Sequence, residues 1–419
     1  MSVSVSQPYA VSSASSTRWI QLVLGVIAMM SISSPQYVWT LFTKSFQESV
    51  GATLPTIQVT FSILIVLQTW LSPIQGYLID KFGPRLLIAF GCALSGAGWI
   101  TSAYVTSLMG LYLTYGLFCG IGTGIVYIGV IGLMVRWFPD RRGFATGMVA
   151  AGYGFGAILT TFPIDNMLKS SGYQHTLVVF GFILGIVGAL AALAMRMPRT
   201  DDVLPTATAM ASAKNVRTGD MVKTPVFWLM FVMMTMMSTG GLMIISQCAS
   251  FSRDFGVTKV MVFGLAALPL ALTVDRITNG LTRPFFGWIS DKIGRENTMA
   301  IAFLMESVVV AAMVLLRENT LLFVILSGVV FFGWGEIFSL FPATLTDTFG
   351  TKYATANYGV LYMAQGIGSV LGGPLAALLH DKAGSWLPVF AIIIAMDALT
   401  GILALAALKP MRKAYAAAK

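Results

Sequence analysis

Of the 419 residues, 56% are hydrophobic and only 10% charged, against roughly 25% charged in soluble domains, and the mean hydropathy is +0.80. Water cannot be the main solvent of such a chain. The net charge of +9 is spread over many short connections and forms no compact patch, which excludes nucleic acid as the partner.

In chain order, residues 1–18 come first: a serine-rich stretch without a charged side chain up to Arg18 and without the basic start and short apolar core of a cleaved leader, expected to be a disordered tail. Apolar stretches long enough to cross a core of about 30 Å as helix then recur. They are continuously apolar and lack the alternation of barrel strands. Twelve spans are predicted: Trp19–Phe42, Thr56–Ile79, Leu86–Tyr104, Leu108–Val135, Gly143–Asn166, Thr176–Met195, Pro225–Ser250, Val260–Ile289, Thr298–Leu316, Leu321–Thr346, Tyr353–Leu379 and Trp386–Leu408. The longest polar connection, residues 198–224, divides them into six-helix bundles over 19–197 and 225–408, with a last tail at 409–419.

Lys and Arg settle the orientation, because short cytoplasmic loops retain them. The two tails and the even-numbered connections carry residues such as Lys81, Arg85, Arg136, Arg141, Arg142, Arg196, Lys292 and Arg295, whereas the odd-numbered connections hold only a few. Both termini are therefore expected in the cytoplasm. Cys92, Cys119 and Cys248 fall inside spans without metal-ligand spacing, and no metal or cofactor is expected.

The halves repeat. Gly76-Tyr-Leu-Ile-Asp80-Lys81-Phe-Gly83-Pro-Arg85 follows span two, and Gly287-Trp-Ile-Ser-Asp291-Lys292-Ile-Gly294-Arg295 follows span eight. Such internal repeats mark secondary transporters with a substrate site near the midplane. The two copies resemble the loop motif of the major facilitator superfamily. The resemblance implies two pseudo-symmetric six-helix bundles, an all-α polytopic fold, and a gate role for Asp80, Arg85, Asp291 and Arg295, whose acids contact a neighbouring helix end. Glycine-rich runs at 120–124, 152–156 and 366–368 lie within apolar spans and read as close helix contacts rather than nucleotide loops.

Charged side chains inside a bilayer are costly and default to functional candidates. There are six, all in the C-terminal half: Asp275, Arg276, Arg283, Glu306, Glu336 and Asp397. Arg283 stands about 12 Å from its helix end at 1.5 Å per residue. Its planar, permanently charged fork matches a carboxylate. Asn279 and Arg276 share its helix face. The competing reading is a structural ion pair with Glu336 or Glu306, and for Arg276 a pair with Asp275 or Glu306.

Several segments together are similar to the oxalate/formate antiporter group, itself similar to proton-coupled monocarboxylate transporters. They are Arg-Trp-Phe-Pro-Asp-Arg-Arg-Gly at 136–143, Ala-Gly-Tyr-Gly at 151–154, Asn279-Gly with Arg283-Pro, Leu-Phe-Pro at 340–342 after Trp334, Asn-Tyr-Gly at 357–359, and Gln36-Tyr37 with Trp39-Thr40. This resemblance implies a substrate carboxylate on Arg283, in a cavity lined by Gln36, Tyr37, Gln58, Tyr127, Trp334 and Tyr362. It also exposes a departure: where the oxalate-carrying pattern has a lysine in span eleven, this chain has Gln365. Arg276 supplies the second charge, or the substrate is a monoanion, or a proton accompanies it. Four intramembrane carboxyls against two arginines favour a protonated acid, so Glu336 and Glu306 are proton-coupling candidates.

The expectation is a monomeric secondary carrier in a bacterial inner membrane, without enzymatic activity, that exchanges oxalate for formate by alternating access. The alternative is a proton-coupled lactate or pyruvate symporter.

Overall fold

The computed structural model describes residues 10–200, 202, 204–205, 214–257 and 260–418. Its first helix begins at Ala10, inside the stretch expected to be a tail, and residues 1–9 of that tail lie outside the described ones. Span one is broken into Ala10–Ser31, Ser34–Tyr37 and Trp39–Val50. Pro35 has no N–H to continue the helical ladder. Its carbonyl accepts instead from the Tyr115 hydroxyl at 2.8 Å. Span two bends by 47° between Trp70 and Ser72, next to Pro73.

The remaining spans are Pro84–Ser102, Leu108–Trp137, Arg142–Ala194, Pro225–Asp254, Ala267–Ile293, Arg295–Leu315, Thr320–Phe349, Ala354–Ala383 and Leu387–Ala417. The 53-residue segment Arg142–Ala194 holds spans five and six, because Gly172 (φ 79°, ψ 169°) turns the chain back within it. Span eight is long enough to cross but carries Asp275, Arg276 and Arg283. Counted so, the described residues form twelve spans. Span ten is interrupted at Gly335–Glu336. The helix of span twelve continues over Lys409–Ala417, where a tail was expected.

Span eight starts later than its apolar pattern predicts. Met261–Val262 and Leu265–Ala266 pair as a small antiparallel hairpin. Its two turn residues, Phe263 (φ 51°) and Gly264 (φ 78°), both have positive φ, as a two-residue hairpin turn requires. A short apolar run does not by itself distinguish strand from helix.

Arg18 at the start of span one and Arg412 in the helix that continues span twelve lie on one face of the bundle, called here the terminal face, together with the repeated loops. Arg18 pairs with Asp140 at 2.8 Å, and Arg412 with Glu296 at 2.5 Å. One apolar core runs through both halves, while a second, built on Trp39, Phe42, Phe46, Trp99 and Tyr115, belongs to the N-terminal half alone. Among the described residues, hydrogen bonds between the halves run from mid-depth to the terminal face: Gln68 to Tyr362, Arg283 to Ala150, Thr146 to Ser339, and Arg136 to residues 351–355. The halves are thus joined at the terminal face.

The repeat explains this joint. Gly76 abuts span eleven, where an added Cβ would lie 2.8 Å from the Ala356 Cα. Gly287 abuts span five, where a Cβ would lie 2.5 Å from the Gly143 carbonyl carbon. One turn on, Asp80 accepts from the Ala356 N–H at 2.8 Å, and Asp291 from the Gly143 and Phe144 N–H groups at 3.0 and 2.9 Å. Each acid caps the positive end of a helix in the opposite half. Gly83 (φ 89°) and Gly294 (φ 94°) then take left-handed turns that a side chain would strain.

Candidate functional site

Arg283 is placed by its neighbours in sequence. Pro284 removes an N–H from the helical ladder, and Gly147 opposite lets span five touch the Arg283 backbone. The side chain is 2% exposed. Its Nη1 donates to the Ala150 carbonyl at 2.5 Å, and its Nη2 to the Asn279 Oδ1 at 2.7 Å. Among the described residues no carboxylate lies within ion-pair distance of it, and Nε has no partner. The ion pair with Glu336 or Glu306 that the sequence allowed is not formed. A buried guanidinium with no carboxylate at ion-pair distance and an unpartnered Nε keeps a donor that an anion can engage.

Aromatic rings surround it. The guanidinium sits over Phe338, 4.6 Å from the ring centroid. Tyr127 stacks on Tyr362 across the two halves at 4.9 Å and meets Tyr153 edge-on at 5.4 Å. Tyr153 packs against Tyr37 at 5.5 Å and donates to Gln36 Oε1 at 2.5 Å. Tyr362 accepts from Gln68 Nε2 at 3.2 Å. The phenols of Tyr127, Tyr153, Tyr358 and Tyr362 all lie within electrostatic reach of Arg283. Phenol and amide donors of this kind hold oxygens without adding charge.

The structure gathers Arg283, Asn279, Gln36, Tyr37, Tyr127 and Tyr362 into one constellation through these contacts. Gln365 Oε1, also buried, has no partner. Trp334 is buried on the same face of the C-terminal half as Phe338, 5.5 Å between rings, but its indole N–H is committed to the Met237 carbonyl at 2.9 Å. Gln58 is exposed and accepts from Trp39 Nε1 at 3.0 Å, about 15 Å along its helix from Gln68. Arg276 is exposed and, among the described residues, makes no ion pair. Glu336 is buried within electrostatic reach of Arg283, and Glu306 lies behind it.

At the gate, Asp80 pairs with Arg136 at 2.5 Å, not with Arg85, which is exposed. In the other copy Arg295 does pair with Asp291, at 2.5 Å, and reaches Asp347 at 2.9 Å; Arg142 joins the same Asp347. Gln68, Phe338, Arg136, Arg142 and Asp347 join the candidate site and the gate without having been singled out as site residues. Gln68 carried a usable signal, an amide inside an apolar span. The pairings of Arg142 and Asp347 carried none, since the two are 205 residues apart.

Two pseudo-symmetric helical halves meeting around a buried cation define a membrane carrier, a transport protein rather than an enzyme. The sequence profile of the Major Facilitator Superfamily matches residues 21–274 and 236–418, and the chain belongs to that family. It is similar to the oxalate:formate antiporter of Oxalobacter formigenes, 35% identical over 390 residues, 93% of this chain and 90% of that one. Monocarboxylate transporter 13 of Bos taurus is 24% identical over 88% of this chain and 82% of its own. Among solved structures, the fucose:proton symporter FucP of Escherichia coli aligns with a TM-score of 0.69 at 14% identity, over 92% of this chain and 97% of that one. The proton:xylose symporter XylE aligns at 0.71 and 13% identity, over 94% and 96%. These structural likenesses concern the fold alone.

Proposed function

We propose that this secondary transporter carries small carboxylate anions across a bacterial inner membrane by alternating access, with oxalate and formate as the leading exchange pair. The observation that carries the reading is Arg283: a mid-depth, buried guanidinium with no carboxylate beside it and an unpartnered Nε. The similarity to an oxalate:formate antiporter over nearly the whole chain supports the choice of pair.

A substrate carboxylate docks on the free edge of Arg283 while Ala150 and Asn279 hold the other N–H groups in place. Tyr127, Tyr153 and Tyr362 close around it from both halves. Rocking of the halves breaks the Asp80 and Asp291 caps and opens the terminal face. That face is the cytoplasmic one on the positive-inside argument, since the Lys- and Arg-rich loops lie there. The chain works as a monomer, because each bundle pair holds a complete site.

Proton-coupled transport of a monocarboxylate is the second reading, favoured by the buried, unpartnered carboxyls of Glu306 and Glu336. Counterflow in proteoliposomes tests the first: internal oxalate should accelerate uptake of labelled formate, and no acceleration by any small carboxylate would remove the proposal.

A further inference from the structure

Span ten breaks between its segments Thr320–Trp334 and Ile337–Phe349, and the break is packed against span eight at Thr282, the residue before Arg283. Gly335 makes this approach possible. A Cβ there would lie 2.7 Å from the Asn279 carbonyl oxygen and would collide with the Thr282 methyl group. At a break, backbone groups lose their helical partners, and in an apolar interior each must find another or stand unpaired at a cost. The Gly335 N–H still reaches back to the Phe331 carbonyl, at 3.3 Å, but among the described residues the Glu336 N–H makes no such bond to the Phe332 carbonyl.

Thr282 engages that carbonyl instead. Its hydroxyl donates across to the Phe332 oxygen from span eight, and the residue is fully buried. A helical threonine ordinarily bonds a carbonyl one turn back on its own helix. Thr278, one turn away, does so, donating to the Val274 carbonyl at 3.0 Å. Thr282 forgoes the local bond and ties two helices together. The Phe332 ring is held from the same helix, 5.2 Å from Phe285 and 5.5 Å from Phe286. Successive residues of a helix point about 100° apart. With Thr282 turned to span ten, Arg283 is turned towards span five, where it bonds the Ala150 carbonyl and lies over Phe338, the second residue after the break.

We infer that Thr282 is a positioning residue for Arg283: its bond to the Phe332 carbonyl fixes the rotation and depth of span eight against the break in span ten, and so keeps the guanidinium over Phe338 with its Nε edge open to an anion. The inference rests on the carboxylate reading of Arg283 and adds to it a residue that touches no substrate. A receptor whose donors are held in place before the anion arrives loses less on binding than one the anion must order. Loosening span eight therefore acts on the affinity for the anion more than on the maximal rate of exchange.

The test is oxalate counterflow by the purified protein in proteoliposomes at equal pH on both sides, read as half-saturating concentration and maximal rate. Thr282→Val keeps the shape and removes the hydroxyl; it should raise the half-saturating concentration about tenfold and leave the maximal rate within about twofold. Thr282→Ser keeps the hydroxyl and should restore the wild-type value. Because Thr282 acts through Arg283, T282V added to R283K should raise the half-saturating concentration by less than about twofold. T282V equal to wild type, T282S as impaired as T282V, or a full effect in the R283K background overturns the inference while the carboxylate reading stands. Should T282V fail to insert, Gly335→Ala decides, since it wedges the break away from the Asn279 carbonyl with the hydroxyl intact. The same rise upholds the inference there, and an unchanged value overturns it. If no small carboxylate supports counterflow in the wild type, the carboxylate reading falls and this inference falls with it.

Discussion

Asp347 on span ten is ion-paired with Arg142 at the start of span five, so that one carboxylate ties the two halves together at the terminal face. The same carboxylate accepts from Arg295 Nε at 2.9 Å, and Arg295 reaches Asp291, which caps span five. The Asp347 side chain is 1% exposed. Removing one partner of such a buried pair costs about 3–5 kcal/mol, because the charges left behind are uncompensated. Asp347→Asn should therefore weaken closure of the terminal face and favour the opposite state of the carrier. A cysteine at position 72 reports it, since Ser72 is buried beneath Gly359 and the native cysteines are all buried. Labelling of S72C by an impermeant maleimide from the terminal side should rise about tenfold or more in the double variant. An unchanged rate would mean that Asp347 does not hold the gate.

Arg283→Lys keeps a positive charge but loses the planar fork. The lysine cannot hold the Ala150 carbonyl and Asn279 while offering a free edge to an anion. Charge-assisted hydrogen bonds contribute about 1.5–3 kcal/mol each, so uptake at low substrate should fall by about tenfold to a hundredfold. Membrane yield and thermal unfolding in detergent should stay near wild type. Labelled oxalate or formate uptake per unit protein measures the effect, and a wild-type rate would take Arg283 out of the site.

In the loop after span six, Arg196 grips Asp202 through both carboxylate oxygens, at 2.6 and 2.8 Å, and the Arg199 N–H adds a bond at 2.7 Å. The Arg196 guanidinium thereby holds the Asp202 carboxyl down at about 2, from an ordinary 3.8. The folded value is the lower one, so the bond stabilises the loop fully above about pH 4 and is lost as pH falls towards 2. Hydrogen exchange of residues 196–202 in Asp202→Asn should be faster than wild type at neutral pH, and the two should converge in strong acid. A difference that persisted at the lowest pH would assign the ordering to something other than this carboxylate.

What was legible beforehand follows from how local each cause is. The double loop was readable because it recurs at one offset in both halves and Gly83 and Gly294 answer to a positive φ, whereas the helix ends that Asp80 and Asp291 cap lie in the opposite half, 276 and 148 residues away in sequence. Arg283 was readable because any charge at mid-depth requires a reason. Its partners were not, since an ion pair with Glu336 or Glu306 and an open anion site look alike until helix packing is known. Arg276 shows the limit of periodicity. Seven residues keep it on roughly the same helix face, yet place it about 10 Å towards the distal side. There the side chain is exposed. The hairpin at 261–266 was hidden for a related reason: its apolar residues fit either period.

The span-eleven position that distinguishes this chain from the oxalate-carrying pattern gives the sharpest test of substrate choice. Gln365 lies one helical turn beyond Tyr362, whose ring stacks on Tyr127 beside Arg283, and its buried Oε1 has no partner. An amide there can donate to a second carboxylate but cannot neutralise it. Substituting Gln365→Lys would add a positive charge one helical turn beyond Tyr362. Two unit charges at contact distance attract by about 4 kcal/mol at an effective dielectric of 20. Desolvation of the lysine subtracts from that, leaving a preference for the dianion raised by about tenfold or more. Formate, with one charge already matched by Arg283, should gain little. Competition of unlabelled oxalate against labelled formate, measured in wild type and Q365K at equal protein insertion, reads the ratio directly. A ratio unmoved by the added charge would place residue 365 away from the substrate, and selectivity would then have to rest on Arg283 and the phenols around it.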